Sequence, residues 1–368
     1  LLGYGHPSVD AAISKVTDLG NMSTLNCPEE VYLAERLIEL HPWFDMVRFA
    51  RSGGEANAIA VRIARAASNK PGVAICGYHG WHDWYLATNL AGDQALNQHL
   101  LPGLKPNGVP PQLADITHPF NYNDFETLKK LLETKSIGVV IMEVMRNYEP
   151  KDEFLQRVRD LTKRLGVVLI FDECTSGFRE TYGGLHKKFK VFPDIAMFGK
   201  ALGNGYAITA VVGSREVMEH AQSSFISSTF WTERIGVTAG LETLKVMESI
   251  RAWEQVTILG ETIKRTWQQI ADIHRIQISQ AGLPALASFN FVLDGQIKKT
   301  YFIQEMLKRG FLASNSFYPS TSHDTHILEL YFENVNEVFH QMSSFENSDH
   351  LLTKLDGPVC HSGFARLN

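Results

Sequence analysis

The sequence predicts an α/β fold: a mostly parallel sheet covered by helices, followed by a smaller α+β C-terminal domain. Two observations carry this. Apolar strand-like runs alternate with amphipathic helices between about residues 46 and 213, the order that builds parallel sheets. Past about residue 275 the pattern changes to short strands such as "LASFNFVL" and isolated helices. A chain of 368 residues with 44% hydrophobic content can fill both cores. The expected organisation is an N-terminal segment over 1–28, a large domain over 29–250 and a small domain over 251–368.

Each element follows from its own stretch. Residues 29–41, "EEVYLAERLIELH", set Val31, Ala34, Leu37, Ile38 and Leu40 at helical spacing. "MVRFARSGGEANAIAVRIARAASNKPG" reads as a strand (46–51), a glycine turn, a helix (about 54–69) and a Pro71-Gly72 stop. "VAIC" is a short strand that leads into an aromatic-rich loop. Residues 91–122 are polar and rich in Pro and Gly, the composition of a long loop that serves as a lid or interface segment. A helix after 123, a strand over 137–144, a helix over 152–165 and a strand over 167–172 come next. Runs at 194–199 and 207–213 lie close enough together to be neighbouring strands. Residues 233–273 are helical with a break near 250–254, and helices over 299–309 and about 324–343 finish the chain. The opening "LLGYGHPSVD" carries no initiator Met or signal peptide, and the expectation is that a longer N-terminal part precedes it.

Composition excludes several classes. Net charge is −5 with Lys and Arg scattered, so nucleic acid and anionic membrane surfaces are not expected partners. No apolar run approaches the roughly 18 residues of a membrane span. Cys27, Cys76, Cys174 and Cys360 lie far apart without a CxxC pair, which argues against a disulfide framework or a zinc site. Reduced thiols in the cytoplasm are the expectation, and no metal is expected.

Four stretches carry chemistry. "FARSGGEAN" sets Ser52-Gly53-Gly54 between a strand and a helix, which makes either an anion site at the helix start or a plain tight turn with Ser52 as N-cap. It has neither GxGxxG nor GK[ST], so a dinucleotide or nucleoside triphosphate is not favoured. "GYHGWHDWY" is ordinary core, a metal cluster short of ligands, or a flat face from Tyr78 or His79 for a ring to stack on. "VVLIFDECTSGFR" ends an apolar strand in Asp172, at the sheet edge where ligands of open α/β folds sit; a helix cap or a magnesium ligand is the plain alternative. Finally, "PDIAMFGKALGNGY" delivers Lys200 among glycines at 199, 203 and 205, unless it is one more surface lysine. Together, a lysine fit for Schiff-base chemistry, a carboxylate for a pyridinium nitrogen, an anion-binding helix start and an aromatic face are the parts of a pyridoxal 5′-phosphate (PLP) site.

In "GYGHPSVDAAI", "MVRFARSGGEAN", "GYHGWHD", "LIFDECTSGFRETYGGLHKKFKVFPDIAMFGKALGNGY" and "SSTFWTERIGVTAGLETL", the chain resembles the class-III PLP-dependent aminotransferases, their glutamate-1-semialdehyde 2,1-aminomutase-like branch most of all. The resemblance implies a fold-type-I enzyme with a seven-stranded, mostly parallel sheet, and a homodimer with shared active sites. It implies that Lys200 forms the Schiff base and that Asp172 pairs with the pyridine nitrogen. Gly53 and Gly54 would hold the phosphate, Tyr78 would stack on the ring beside His79, and Thr229 would reach the phosphate of the partner subunit's cofactor. Glu143 would lie near the cofactor and Asn147 near the ring hydroxyl. Two positions depart from the pattern: Gly54 stands where Thr or Ser is usual, so that Ser52, Ser228 or Thr229 would have to compensate, and Cys174 stands where Val or Ile is usual against the ring. The expected activity is amino transfer between a small-molecule amino donor and a keto or aldehyde acceptor by a ping-pong mechanism. The alternative is an aminomutase that moves nitrogen within one substrate, weakened by "EVMRNYEP" and "FWTERIG", which replace the aminomutase wording.

Overall fold

The strands of the large sheet are near-continuous apolar runs buried on both faces at its centre, as a helix-covered parallel sheet requires, and less buried at its two edges. They are β1 (Met46–Ala50), β2 (Gly72–Cys76), β3 (Thr117–Pro119), β4 (Ile137–Glu143), β5 (Val168–Glu173), β6 (Ile195–Phe198) and β7 (Thr209–Gly213). They form one seven-stranded sheet in the order β1-β7-β6-β5-β4-β2-β3. Strands β3, β2, β4, β5 and β6 pair in parallel, whereas β7 runs antiparallel to both β6 and β1. Every strand but β7 therefore ends on the same edge of the sheet.

The computed structural model describes residues 1–92, 94–99, 102–345 and 347–363. It divides into two compact units: Leu2–Met145 with Glu149–Trp253, and Leu1 with Arg146–Tyr148 and the chain from Glu254 onward. The helices are α1 (Pro7–Asp18), α2 (Pro28–Leu40), α3 (Gly53–Ser68), α4 (Asp83–Leu86), α5 (Phe125–Thr134), α6 (Phe154–Leu165), α7 (His186–Phe189), α8 (Arg215–Met218) and α9 (Arg234–Ile250). After them come α10 (Ala252–Ile273), α11 (Gly295–Lys308), α12 (Thr325–Ser343) and α13 (Ser348–Leu352). Helix α3 is the central packing element of the first unit. Its Ala56, Ile59, Ala60 and Ile63 share a buried cluster with Val73, Ile75, Val139, Ile141, Ile170, Met197 and Val211 from five strands. Alanines on that face let the helix lie close to the sheet.

The second unit holds a three-stranded antiparallel sheet, β8 (Ile278–Ala281), β9 (Ala287–Phe291) and β10 (Ser316–Phe317), in the order β10-β9-β8. Its core gathers Trp267, Phe289, Phe302, Tyr331 and Phe339. The buried Trp267 indole donates to the Tyr331 hydroxyl at 3.0 Å.

One expectation changes and one is sharpened. The segment read as a loop over 91–122 contains β3, because the Val73 N–H reaches Ile116 O and the Phe120 N–H reaches Ile75 O across the edge of β2. Residues 93, 100 and 101 of that segment lie outside the described residues. The break near 250–254 is a single residue, Arg251, whose φ of +50° ends α9 before α10 begins. No helix among the described residues is long and apolar enough to cross a membrane.

His41, just past α2, is fully buried. Its Nδ1–H donates to Leu37 O at 2.8 Å, and its Nε2 accepts the Gly184 N–H at 3.0 Å. The neutral ring uses both nitrogens, and burial lowers its pKa from 6.5 to about 4. Between those two values the unfolded chain takes up a proton that the folded one refuses, so stability falls as pH falls. At pH 5 this group alone should cost about 2 kcal/mol relative to pH 7. Urea unfolding of the wild type and of His41→Gln at both pH values checks this. The wild type should lose about that much more than the variant, and equal losses would acquit His41.

Candidate active site

Chain direction brings the sequence-predicted groups together at the carboxyl edge of the sheet, where open α/β folds keep their ligands. Ser52, Gly53 and Gly54 follow β1, Tyr78 and His79 follow β2, Glu143 ends β4, Asp172 lies at the end of β5, and Lys200 follows β6. Glu143 and Asp172 sit side by side in the parallel register.

Asp172 is the most elaborately held of them. Its Oδ2 accepts from Asn57 Nδ2 at 2.9 Å and from His79 Nδ1 at 2.9 Å, and its Oδ1 accepts the Cys174 N–H at 3.0 Å. Burial pushes the carboxyl toward its neutral form, but the His79, Asn57 and Cys174 hydrogen bonds outweigh it and leave its pKa below the ordinary value. The result is a buried carboxylate that stays ionised with lone pairs to spare.

Lys200 opens a short 3₁₀ turn with φ of +35°, and its ammonium donates to the Thr175 hydroxyl at 2.5 Å. Cys174 packs between the two glycine turns: a Cβ built on Gly53 would lie 3.5 Å from its Sγ, and one on Gly199 would lie 3.2 Å from it. Ser52 is the N-cap of α3 and accepts from the Glu55 N–H at 3.4 Å. The Glu143 carboxylate accepts the Tyr78 N–H at 3.3 Å and so fastens the turn that carries Tyr78 and His79. This turn presses on the start of α3, and Gly80 is the residue that permits it. With φ of +99°, a Cβ there would fall 2.8 Å from Gly54 Cα.

Two expected residues take no part in the hydrogen bonds of this cluster. Asn147 is exposed and belongs to the second unit, where its carbonyl accepts the Gly282 N–H at 3.3 Å. Thr229 is exposed on a short turn, Thr229–Thr232, that is tied beside α3 of the same chain. Arg51 Nη2 donates to Phe230 O at 2.6 Å, and the Trp231 indole donates to Glu55 Oε1 at 3.2 Å.

Sequence reading missed Asn57 and Thr175. Asn57 had a signal, since it is a polar residue inside the alanine-rich buried stripe of α3. Thr175 had none, because its contact with Lys200 arises only when two strand ends meet.

Residues 1–321 match the aminotransferase class-III family. The chain is 32% identical to the 3-aminobutyryl-CoA aminotransferase of Cloacimonas acidaminovorans, over 80% of this chain and 69% of that one. It is 30% identical to the glutamate-1-semialdehyde 2,1-aminomutase of Methanocaldococcus jannaschii, over 92% and 84%. In fold it is similar to the FumI protein of Sphingopyxis sp. MTA144, with a TM-score of 0.83 at 21% identity over 95% of this chain and 85% of that one. An omega-transaminase from Sphaerobacter thermophilus gives a TM-score of 0.83 at 22% identity, over 93% and 84%. The chain belongs to the class-III aminotransferases. It is therefore a PLP-dependent enzyme of fold type I.

The residues present fit that cofactor. His79 Nε2, Asn57 Oδ1 and His82 Nδ1 are buried atoms with no hydrogen-bond partner among the described residues. Buried polar atoms are ordinarily paired, and these three, beside Asp172 and at the start of α3, suit a polar molecule that completes the site.

The Gly80 contact makes a prediction. Gly80→Ala should destabilise the protein by roughly 1–3 kcal/mol and weaken PLP retention, because the 78–82 turn must move off α3. Gly92→Ala, where none of the described residues lies within 4 Å of the new Cβ, should leave both nearly unchanged. Thermal unfolding and dialysis against buffer measure the two effects.

Proposed function

We propose that this enzyme is an aminotransferase that takes an amino group from a donor and passes it to a keto or aldehyde acceptor, each half-reaction finishing before the other begins. The observation that carries this is the placement of Lys200 and an ionised Asp172 on adjacent strand ends. When bound, PLP supplies an aldehyde that condenses with amines and a ring that withdraws electrons from a substrate Cα–H bond.

The chain's own residues do the rest. The Asp172 carboxylate would pair with the ring nitrogen and keep it protonated, and His79 and Asn57 hold that carboxylate in one orientation. The N–H groups at Gly53 and Gly54 open α3 and would bind the phosphate, aided by the helix dipole. Tyr78 would cover one ring face, with Cys174 on the other. Lys200 Nζ is the base that takes the substrate Cα proton. Thr175 suits that task, since a hydroxyl accepts from an ammonium and donates to a neutral amine alike.

Several parts of the reading concern assembly and place. A homodimer with shared sites is supported by Tyr4, Leu25, Phe225 and Phe230, large apolar side chains left exposed on the first unit. The exposed Thr229 lies among them in sequence and would serve the partner's phosphate. Glu143 stays near the cofactor through the Tyr78 turn, and Asn147 is assigned to the ring hydroxyl by family likeness alone. Four cysteines without a disulfide suit a reducing cytoplasm.

Lys200→Ala should lower turnover by roughly a thousandfold or more, and Asp172→Asn by roughly a hundredfold. A single half-reaction separates transferase from mutase. A donor amino acid given alone to the wild type should release one equivalent of keto acid, whereas an aminomutase would release none. A second test addresses the dimer. Mixing Lys200→Ala with Thr229→Ala protomers should restore activity, since each hybrid keeps one unaltered site. No recovery on mixing would refute shared sites.

A further inference from the structure

Gly54 leaves the third position of the phosphate turn without a side chain, and something else occupies the space. A Cβ built on Gly54 would lie 3.0 Å from both Nδ1 and Cε1 of His82, and 3.8 Å from the Trp81 ring. The imidazole therefore lies where a side chain at 54 would project. His82 is carried there by the same glycine-dependent turn: Gly80 brings the backbone against Gly54, and α4 starts immediately after His82. The ring is stiffened by stacking on Trp81, with centroids 4.8 Å apart and planes 17° apart. Its Nδ1 is wholly buried, yet it has no hydrogen-bond partner among the described residues. A buried ring nitrogen without a partner is costly, and it costs least where a ligand supplies the missing bond. Ser52, by contrast, already uses its hydroxyl oxygen to cap α3.

We propose that His82 is a phosphate-binding residue, its Nδ1–H donating to the cofactor's 5′-phosphate in place of the side chain that Gly54 lacks. This rests on the PLP assignment above and adds a residue to it. The glycine and the histidine then form one device: the absence of a side chain at 54 makes room for a ring reaching in from the β2–α4 turn.

The test uses apoenzyme and two probes, PLP and pyridoxal, which differ only in the phosphate. Equilibrium dialysis gives the affinity for each. His82→Phe keeps a flat aromatic ring to stack on Trp81 but removes both ring nitrogens. It should weaken PLP by roughly tenfold or more while leaving pyridoxal within about twofold, the loss expected for a hydrogen bond to a charged group. Unchanged PLP affinity, or an equal loss for both probes, overturns the proposal. Should His82→Phe not fold, the pair His82→Ala and His82→Ala/Gly54→Ser decides. With the ring gone a serine fits at 54, and its hydroxyl should recover most of the PLP affinity that His82→Ala loses. No loss in the first, or no recovery in the second, again overturns it. Failure of the wild type to bind PLP at all would strike at the cofactor assignment instead, and that result is separate.

Discussion

Keeping one negative charge buried and ionised is the constraint around which this molecule is organised. Asp172 stands at the end of a strand buried on both faces, where an unpaired carboxylate would take up a proton. Three donors prevent that, and they come from three places: Asn57 on α3, His79 after β2 and the Cys174 N–H in its own chain turn. The charge therefore requires α3 to lie tight on the sheet, which the alanines at 56, 60 and 64 allow. It also requires the turn after β2 to press inward, which Gly80 allows. Packing and chemistry are the same requirement here.

Much of this was legible in the amino-acid sequence, and the reasons are specific. Strand ends are readable because an apolar run stops at a polar residue, as "VVLIFDE" stops at Asp172 and "IAMFGK" at Lys200. Parallel topology then puts such ends on one edge without further information. The missed parts needed a third dimension. β3 is only three residues long and exists because an edge strand offers it partners. The Thr175–Lys200 hydrogen bond and the close approach of His82 to Gly54 arise between residues far apart in the chain, and no local pattern records such pairs. Asn147 and Thr229 rested on likeness rather than on a local physical signal, and both stand outside the hydrogen-bonded cluster around Asp172.

The adjacent acids Asp172 and Glu173 show how strand alternation divides labour. Successive side chains of a strand point to opposite faces. Asp172 faces α3 and the turn after β2, through Asn57 and His79. Glu173 is buried on the other side, where it accepts from the Leu185 and His186 N–H groups, from Ser176 Oγ at 3.1 Å and from the His186 ring. His186 lies in turn against His41, with centroids 5.8 Å apart, and Phe198 stacks on His41 at 4.9 Å. Phe198 is two residues before Lys200. The second acid thus ties the loop after β5 to the strand that delivers Lys200, while the first holds the buried charge at the end of β5. A one-residue register slip would exchange the two faces, burying Asp172 among donors built for a longer side chain and leaving Glu173 facing the site. Hence β5 has its register fixed from both sides by charge as well as by its apolar residues.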